Sequence, residues 1–188
     1  PLSAGSSSLE PLPAELVVPV TPSPDSYPTP VPEPLPAEYS ANVPSLRKQS
    51  GIQTTLYEYL KDLDQRESVK DRAKELNGGD QHNSCVYFAS EALRRVGYDI
   101  ALAVCNTGKL DNENIPDISL TYQLQKRGWK VSRDLSQLLP GDLCFSTSDS
   151  NGRPTHVYTF MGWVEGESHD YAYVCDNQSY DYGYTYHK

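Results

Sequence analysis

Proline is distributed very unevenly along this chain, and its distribution limits where a folded domain can form. Twelve of the fifteen prolines lie in the first 45 residues, together with five acidic residues and no Lys or Arg. Proline lacks a backbone N–H and pushes the preceding residue into extended conformations, so this stretch can build neither helix nor sheet. We therefore predict a Pro-rich extended spacer over residues 1–45 and one folded domain over residues 46–188.

The charge of the predicted domain argues against two classes of partner. The formal net charge of the chain is −9, and residues 1–45 contribute −5 of it, which leaves −4 for the domain. An acidic domain without clustered Lys or Arg lacks the basic face that nucleic acids and anionic membranes require. No apolar run is long enough to span a bilayer. We expect no nucleic-acid partner and no membrane insertion.

The first part of the domain shows the period of helices. Apolar residues recur at three- and four-residue steps in two stretches, which predicts two helices or one bent helix: Ile52, Leu56, Tyr59, Leu60 and Leu63, then Val69, Ala73 and Leu76. A third stripe follows Cys85 and ends at Gly97, and a short helix is predicted over Leu120–Lys126.

From Leu139 onwards the pattern is that of strands. The stretch LLPGDLCF contains a Pro-Gly turn followed by an apolar strand, THVYTFMGWV has the composition of a strand in the middle of a sheet, and DYAYVCDNQ follows as the next strand. Four tyrosines at every second position, from Tyr180 to Tyr186, predict a further extended segment. Helices followed by antiparallel strands indicate an α+β fold, with the helices packed on the sheet.

Cys85 is placed at the start of the third predicted helix. Asn83 or Ser84 can cap that helix, and Cys85 then lies in its first turn on the inward-facing stripe. Unpaired backbone N–H groups and the positive end of the helix dipole favour thiolate over thiol there. A free cysteine on an apolar stripe is also commonly a packing residue, so Cys85 alone does not decide between nucleophile and core.

A cysteine nucleophile needs a base and a group that orients the base, and the second half of the chain supplies both. His156 opens the central strand, where an ionisable residue has no packing role. Asp176 follows the apolar run of the adjoining strand and could lie beside the imidazole. The other three histidines are weaker candidates: His82 in the loop before Cys85, His169 in a hairpin tip, and His187 almost at the terminus.

The motifs NSCVYFASEALRRVG, LLPGDLCF, THVYTFMGW and VCDNQ, in that order, resemble those of papain-like cell-wall hydrolases of the NlpC and CHAP (cysteine, histidine-dependent amidohydrolase/peptidase) families. The resemblance covers roughly residues 75–188 and implies a papain-like fold. It also implies a Cys-His-Asp triad of Cys85, His156 and Asp176, and cleavage of amide bonds in bacterial cell-wall peptides. The bond cleaved is left open.

Two further roles are expected around this triad. The oxyanion would be held by the Cys85 backbone N–H together with a side chain from the preceding loop, either Gln81 or Asn83, both of which could equally be loop or cap residues. Asn177 is the alternative to Asp176 as the group that orients the histidine. We choose Asp176, because a carboxylate also stabilises an imidazolium by its charge.

These observations favour a secreted or cell-wall cysteine peptidase or amidase that acts on peptidoglycan or peptide substrates as a monomer, without a metal or cofactor. One alternative is a non-catalytic binding module of the same fold, and another is a cysteine deamidase or protease toxin that acts on proteins. Asp111, Glu113 and Asp117 could hold calcium, although their loop lacks the ligand spacing and the turn glycine of a calcium loop.

Overall fold

The computed structural model describes residues 48–108, 118–146, 154–165 and 168–188. The predicted spacer over residues 1–45 and the acidic loop with Asp111, Glu113 and Asp117 lie outside these ranges, so both remain predictions. Among the described residues, no helix is long and apolar enough to cross a membrane.

The helices lie close to their predicted places. They are α1 (Gly51–Lys61), α2 (Leu63–Leu76), α3 (Cys85–Arg95) and α4 (Leu120–Lys126), and a short 3-10 turn follows at Leu135–Gln137. The Ser50 side chain caps α1 and Gln53 returns a bond to the Ser50 N–H, a reciprocal arrangement that satisfies two otherwise unpaired donors. Only Asp62 separates α1 from α2, and its carboxylate caps α2 by accepting from the Gln65 N–H at 2.9 Å. The alternative of two helices is therefore correct.

The described strands form one antiparallel sheet in the order β1 (Leu143–Ser146), β2 (His156–Glu165), β3 (Ser168–Cys175) and β4 (Tyr186–His187). As predicted, β2 is an interior strand, and residues 159–162 in its middle are buried. Helix α3 packs against α2 on one side and against β2 on the other. The α+β arrangement of helices with an antiparallel sheet is confirmed.

The turn before β1 requires its glycine. Gly141 has φ +89°, and a Cβ atom at this position would lie 2.1 Å from the backbone oxygen of Gln53 in α1. Its neighbour Asp142 is buried and accepts from the Leu139 N–H at 2.9 Å and from the Gln53 side chain. The Pro-Gly-Asp turn therefore joins the first helix to the first strand, which is a structural role for Asp142.

Two local predictions are wrong. Residues Ser179–Tyr182 form a helical turn, α5, rather than an extended segment, and only Tyr186–His187 join the sheet as β4. The turn begins because the Asp176 carboxylate accepts from the Gln178 N–H, and it ends at Gly183 in the left-handed conformation. The predicted capping of α3 by the Asn83 or Ser84 side chain is the second error. Ser84 occupies the N-cap position, but its side chain makes no capping hydrogen bond, and Asn83 lies one residue before it.

Candidate functional site

The first turn of α3 carries Cys85 at the point where the loop 77–84 enters the helix. Asn83 has φ +57°, a left-handed conformation that asparagine tolerates better than most residues. The Ser84 hydroxyl donates back to the Gln81 carbonyl at 2.6 Å, which tightens the loop. Cys85 is 7% exposed, and its own backbone N–H belongs to the first turn, where no helical carbonyl accepts it.

His156 lies between Cys85 and Asp176. Its Nε2 atom is 2.7 Å from Asp176 Oδ2, and because a carboxylate only accepts, Nε2 is the donor. Cys85 interacts electrostatically with the same ring and contributes to raising the pKa of His156. Since Nε2 is occupied by Asp176, Nδ1 is the nitrogen that serves Cys85. The structure thus brings together the three residues that the sequence predicts as a triad.

The charges at the site are coupled. Burial alone would lower the pKa of His156, but the hydrogen bonds and negative charge of Asp176 and Cys85 outweigh it and raise the pKa to about 9. Burial acts to raise the pKa of Asp176, yet hydrogen bonds from His156 and His187 lower it below its ordinary value. At neutral pH the favoured state is therefore a protonated His156 held against an ionised Asp176.

Asp176 is itself bound on both oxygens. Its side chain is 1% exposed, and Oδ1 accepts from His187 Nε2 at 3.0 Å and from the Gln178 N–H at 2.7 Å. A buried carboxylate of this kind is stable only when its lone pairs are matched by donors.

Gln81 and Asn177 connect the segments that carry Cys85 and Asp176, and neither side chain has a hydrogen bond to His156 among the described contacts. The Gln81 amide donates to the Asn177 carbonyl at 3.0 Å and to the Ser179 hydroxyl at 2.6 Å. Asn177 in turn donates from Nδ2 to the Gln81 carbonyl at 3.0 Å. This reciprocal pair holds the loop before Cys85 against the segment after β3. The bonds to Asn177 and Ser179 together use both amide hydrogens of Gln81.

One side of the site is aromatic. The ring of His82 packs against that of Tyr180 with 4.3 Å between centroids and an angle of 44° between planes. Burial and the charge of Asp181 raise the pKa of Tyr180, and the charges of Asp176 and Cys85 make smaller contributions in the same direction. Tyr180 is 39% exposed.

A cavity of about 680 Å³ lies elsewhere, between the start of α1, α4, the segment 127–138 and β1. Its lining includes Cys144 and Tyr158, but none of Cys85, His156 and Asp176. The chemistry proposed below does not take place in it. Within the described part of the chain there is no group of three or more His, Cys, Asp or Glu side chains arranged to hold a metal ion.

The sequence pattern makes His82 and His187 weak candidates, and His187 lies almost at the terminus. In the structure, β4 places His187 on Asp176, and the ring of His82 lies 4.3 Å from that of Tyr180. The sequence carries no clear signal for His187, because the burial of Thr185 on the same face, at 1% exposed, is visible only in the structure.

Comparison of the chain with protein-family models, with characterised proteins and with solved structures finds no match. Function has to be inferred from the chemistry of the site.

Proposed function

We propose that this chain is a cysteine peptidase or amidase of papain-like fold that cleaves amide bonds in the peptides of bacterial peptidoglycan. The observation that carries the proposal is the arrangement of Cys85, His156 and Asp176, in which a cysteine at a helix start interacts electrostatically with a histidine whose Nε2 atom is 2.7 Å from a buried carboxylate. Nucleophile, base and orienting group are the three parts that nucleophilic catalysis by cysteine requires.

The first half-reaction forms a thioester. Cys85 attacks the carbonyl carbon of the scissile amide as the thiolate paired with protonated His156, a C–S bond forms, and the carbonyl π electrons move to oxygen. When the tetrahedral intermediate collapses, the C–N bond breaks and the proton on His156 Nδ1 passes to the leaving amine. A pKa of about 9 keeps His156 protonated at neutral pH, as this general acid must be.

The second half-reaction restores the enzyme. His156 has now lost its Nδ1 proton and accepts one from water, whose oxygen attacks the thioester carbonyl and releases the Cys85 thiolate with a carboxylic acid product. Asp176 keeps Nε2 protonated throughout, so Nδ1 always faces the reacting atoms. The carboxylate also stabilises the imidazolium each time it forms.

The oxyanion would be bound by the Cys85 backbone N–H at the start of α3. Gln81 could add a second donor only by giving up its bond to Asn177 or to Ser179, since both of its amide hydrogens are used. Asn83 is the other expected donor, and its left-handed backbone gives it a role in the turn as well.

The choice of peptidoglycan as substrate is supported by the four motifs and their order, and a cell-wall substrate would require the protein to act outside the cytoplasm. The rings of His82 and Tyr180 form an aromatic surface near the nucleophile. This surface is suited to packing against an extended peptide substrate.

The test is to incubate the purified chain with bacterial cell walls and to measure newly released amines. We expect release by the wild type, loss of release in Cys85→Ala by at least about a thousandfold, and near-normal release in the matched control Cys144→Ala. Release that persists in Cys85→Ala would refute the cysteine mechanism. A wild type that releases amines from a protein but none from cell walls would favour the toxin alternative, and no release from either would favour the binding module.

A further inference from the structure

We propose that His187 is a positioning residue that locks the Asp176 carboxylate in the orientation required by His156. The effect of His187 on catalysis rests on the function proposed above, but the contact between His187 and Asp176 involves only residues of this chain.

The geometry assigns one oxygen of Asp176 to each histidine. His156 Nε2 lies 2.7 Å from Oδ2, and His187 Nε2 lies 3.0 Å from Oδ1. The Gln178 N–H also binds Oδ1, at 2.7 Å. A carboxylate can rotate about its last bond and exchange its two oxygens, and donors on Oδ1 oppose that rotation. Oδ2 is then held in the plane where His156 needs it.

His187 is well placed to act as a fixed donor. Strand β4 pairs with β3 so that His187 lies opposite Val174, and the Asp176 N–H donates to the Thr185 carbonyl at 2.9 Å. The ring of His187 stacks on Tyr182, with 4.0 Å between centroids and an angle of 6° between planes. The side chain is 9% exposed. Packing and strand pairing thus define both the position and the tilt of the ring.

The same contact supports the charge of Asp176. The carboxyl group is almost completely buried, and burial favours its neutral form. A neutral carboxyl group would lose the attraction that keeps His156 protonated. His187 offsets part of the cost of burial through its hydrogen bond and its electrostatic interaction. A residue that contacts neither substrate nor sulfur therefore influences the state of the nucleophile.

Three variants separate positioning from packing. His187→Phe keeps a flat ring for stacking on Tyr182 but has no N–H, and His187→Leu is a second variant without a donor. His187→Gln loses the ring but keeps an amide N–H at a similar reach. We measure the rate at which iodoacetamide alkylates Cys85 at pH 6, the kcat and KM for release of amines from cell walls, and the melting temperature of each variant.

A positioning role predicts that Phe and Leu slow alkylation of Cys85 and lower kcat by roughly fivefold, with KM little changed, and that Gln restores both to within about twofold of the wild type. Equal rates in the wild type and the Phe variant would overturn the inference. The inference would also be overturned if the Phe and Gln variants lost alkylation rate and kcat equally, in proportion to their loss of melting temperature. Alkylation needs no substrate, so a drop with Phe and rescue by Gln supports the positioning role even where cell walls are not cleaved, an outcome that would refute only the proposed function.

Discussion

Cys85 and Cys175 are both buried, at 7% and 0% exposure, yet they lie in opposite chemical environments. Cys85 opens a helix and interacts electrostatically with His156, whose raised pKa supplies a cation at neutral pH. Cys175 ends β3 in the core, and burial raises the pKa of its thiol well above the ordinary value. β3 ends at Cys175, so the buried thiol and the carboxylate that binds His156 belong to neighbouring residues.

Cys144 extends the comparison to a less buried thiol in the sheet. Burial and the charge of Asp142 raise its pKa to about 12, with a partial opposing effect from a hydrogen bond to Tyr158. Asp142 thus adds a negative charge near Cys144, whereas His156 supplies a positive charge near Cys85. Burial is the larger cause of the raised pKa of Cys144, so burial and the sign of the neighbouring charge together distinguish the two cysteines.

The largest expected effect is a difference in thiol reactivity. At pH 6, iodoacetamide should modify Cys85 about a hundredfold faster than Cys144, because the raised pKa of Cys144 leaves almost no thiolate and only part of that loss is recovered through the higher nucleophilicity of a more basic thiolate. Rates are measured for each cysteine by mass spectrometry of the digested protein.

Cys105 is the stringent control for this experiment, because it is exposed and its access to reagent is not limiting. Cys85 should still react faster than Cys105, and His156→Ala should remove that advantage. Equal labelling of Cys85 and Cys105 in the wild type would show that His156 does not activate the nucleophile.

The next effect concerns the two neighbours after β3. Asp176→Asn keeps the size of the side chain but removes the charge that holds His156 protonated, so kcat should fall by roughly tenfold or more. Asn177→Ala breaks the bond to the Gln81 carbonyl without touching His156, so kcat should fall by less than about threefold, accompanied by a lower melting temperature.

Both variants are compared on one cell-wall substrate, with circular dichroism to show that each is folded. The reverse ranking would assign the orienting role to Asn177. It would also mean that the Gln81–Asn177 pair does more than hold two segments together.

The triad could be predicted because each member is marked by local chemistry. Cys85 begins an amphipathic stripe, His156 begins a strand that is otherwise apolar and aromatic, and Asp176 follows one. A polar residue at the end of a run of apolar residues can be recognised from the sequence alone. The fold class followed from the same change of period, from 3.6 residues in the helices to 2 in the strands.

The hydrogen bonds around these three residues join segments that are far apart in the sequence. A local sequence pattern does not predict such bonds. The reciprocal bonds of Gln81 and Asn177 join positions 96 residues apart. The alternating tyrosines suggested one strand from Tyr180 to Tyr186, but the Asx turn at Asp176 and the left-handed Gly183 divide that stretch into α5 and β4. His187 reaches Asp176 only because of this division.

The smallest expected effect is a pH dependence of stability that belongs to the His156–Asp176 pair. The folded protein raises the pKa of His156 from 6.5 to about 9, so between these values the native state holds a proton that the unfolded state has released. Stability from this group is fully present below pH 6.5 and is lost as the pH rises through 9. The folded protein also raises the pKa of the Cys144 thiol, from 9.0 to about 12. Stability from this thiol is therefore also lost as the pH rises, beginning near pH 9, where the unfolded thiol ionises.

Asp176→Asn separates the two contributions, because it retains every cysteine and removes the hydrogen bond that does most to raise the pKa of His156. We expect the midpoint of denaturant unfolding of the wild type to fall between pH 6.5 and pH 9, equivalent to a few degrees in melting temperature, and the midpoint of Asp176→Asn to change clearly less over the same range. The Cys144 thiol contributes little to the slope in this range, because the loss of stability that it causes begins near pH 9. If both proteins showed the same slope, the charge of His156 would not depend on Asp176, and the contrast between Cys85 and the sheet cysteines would need a different source.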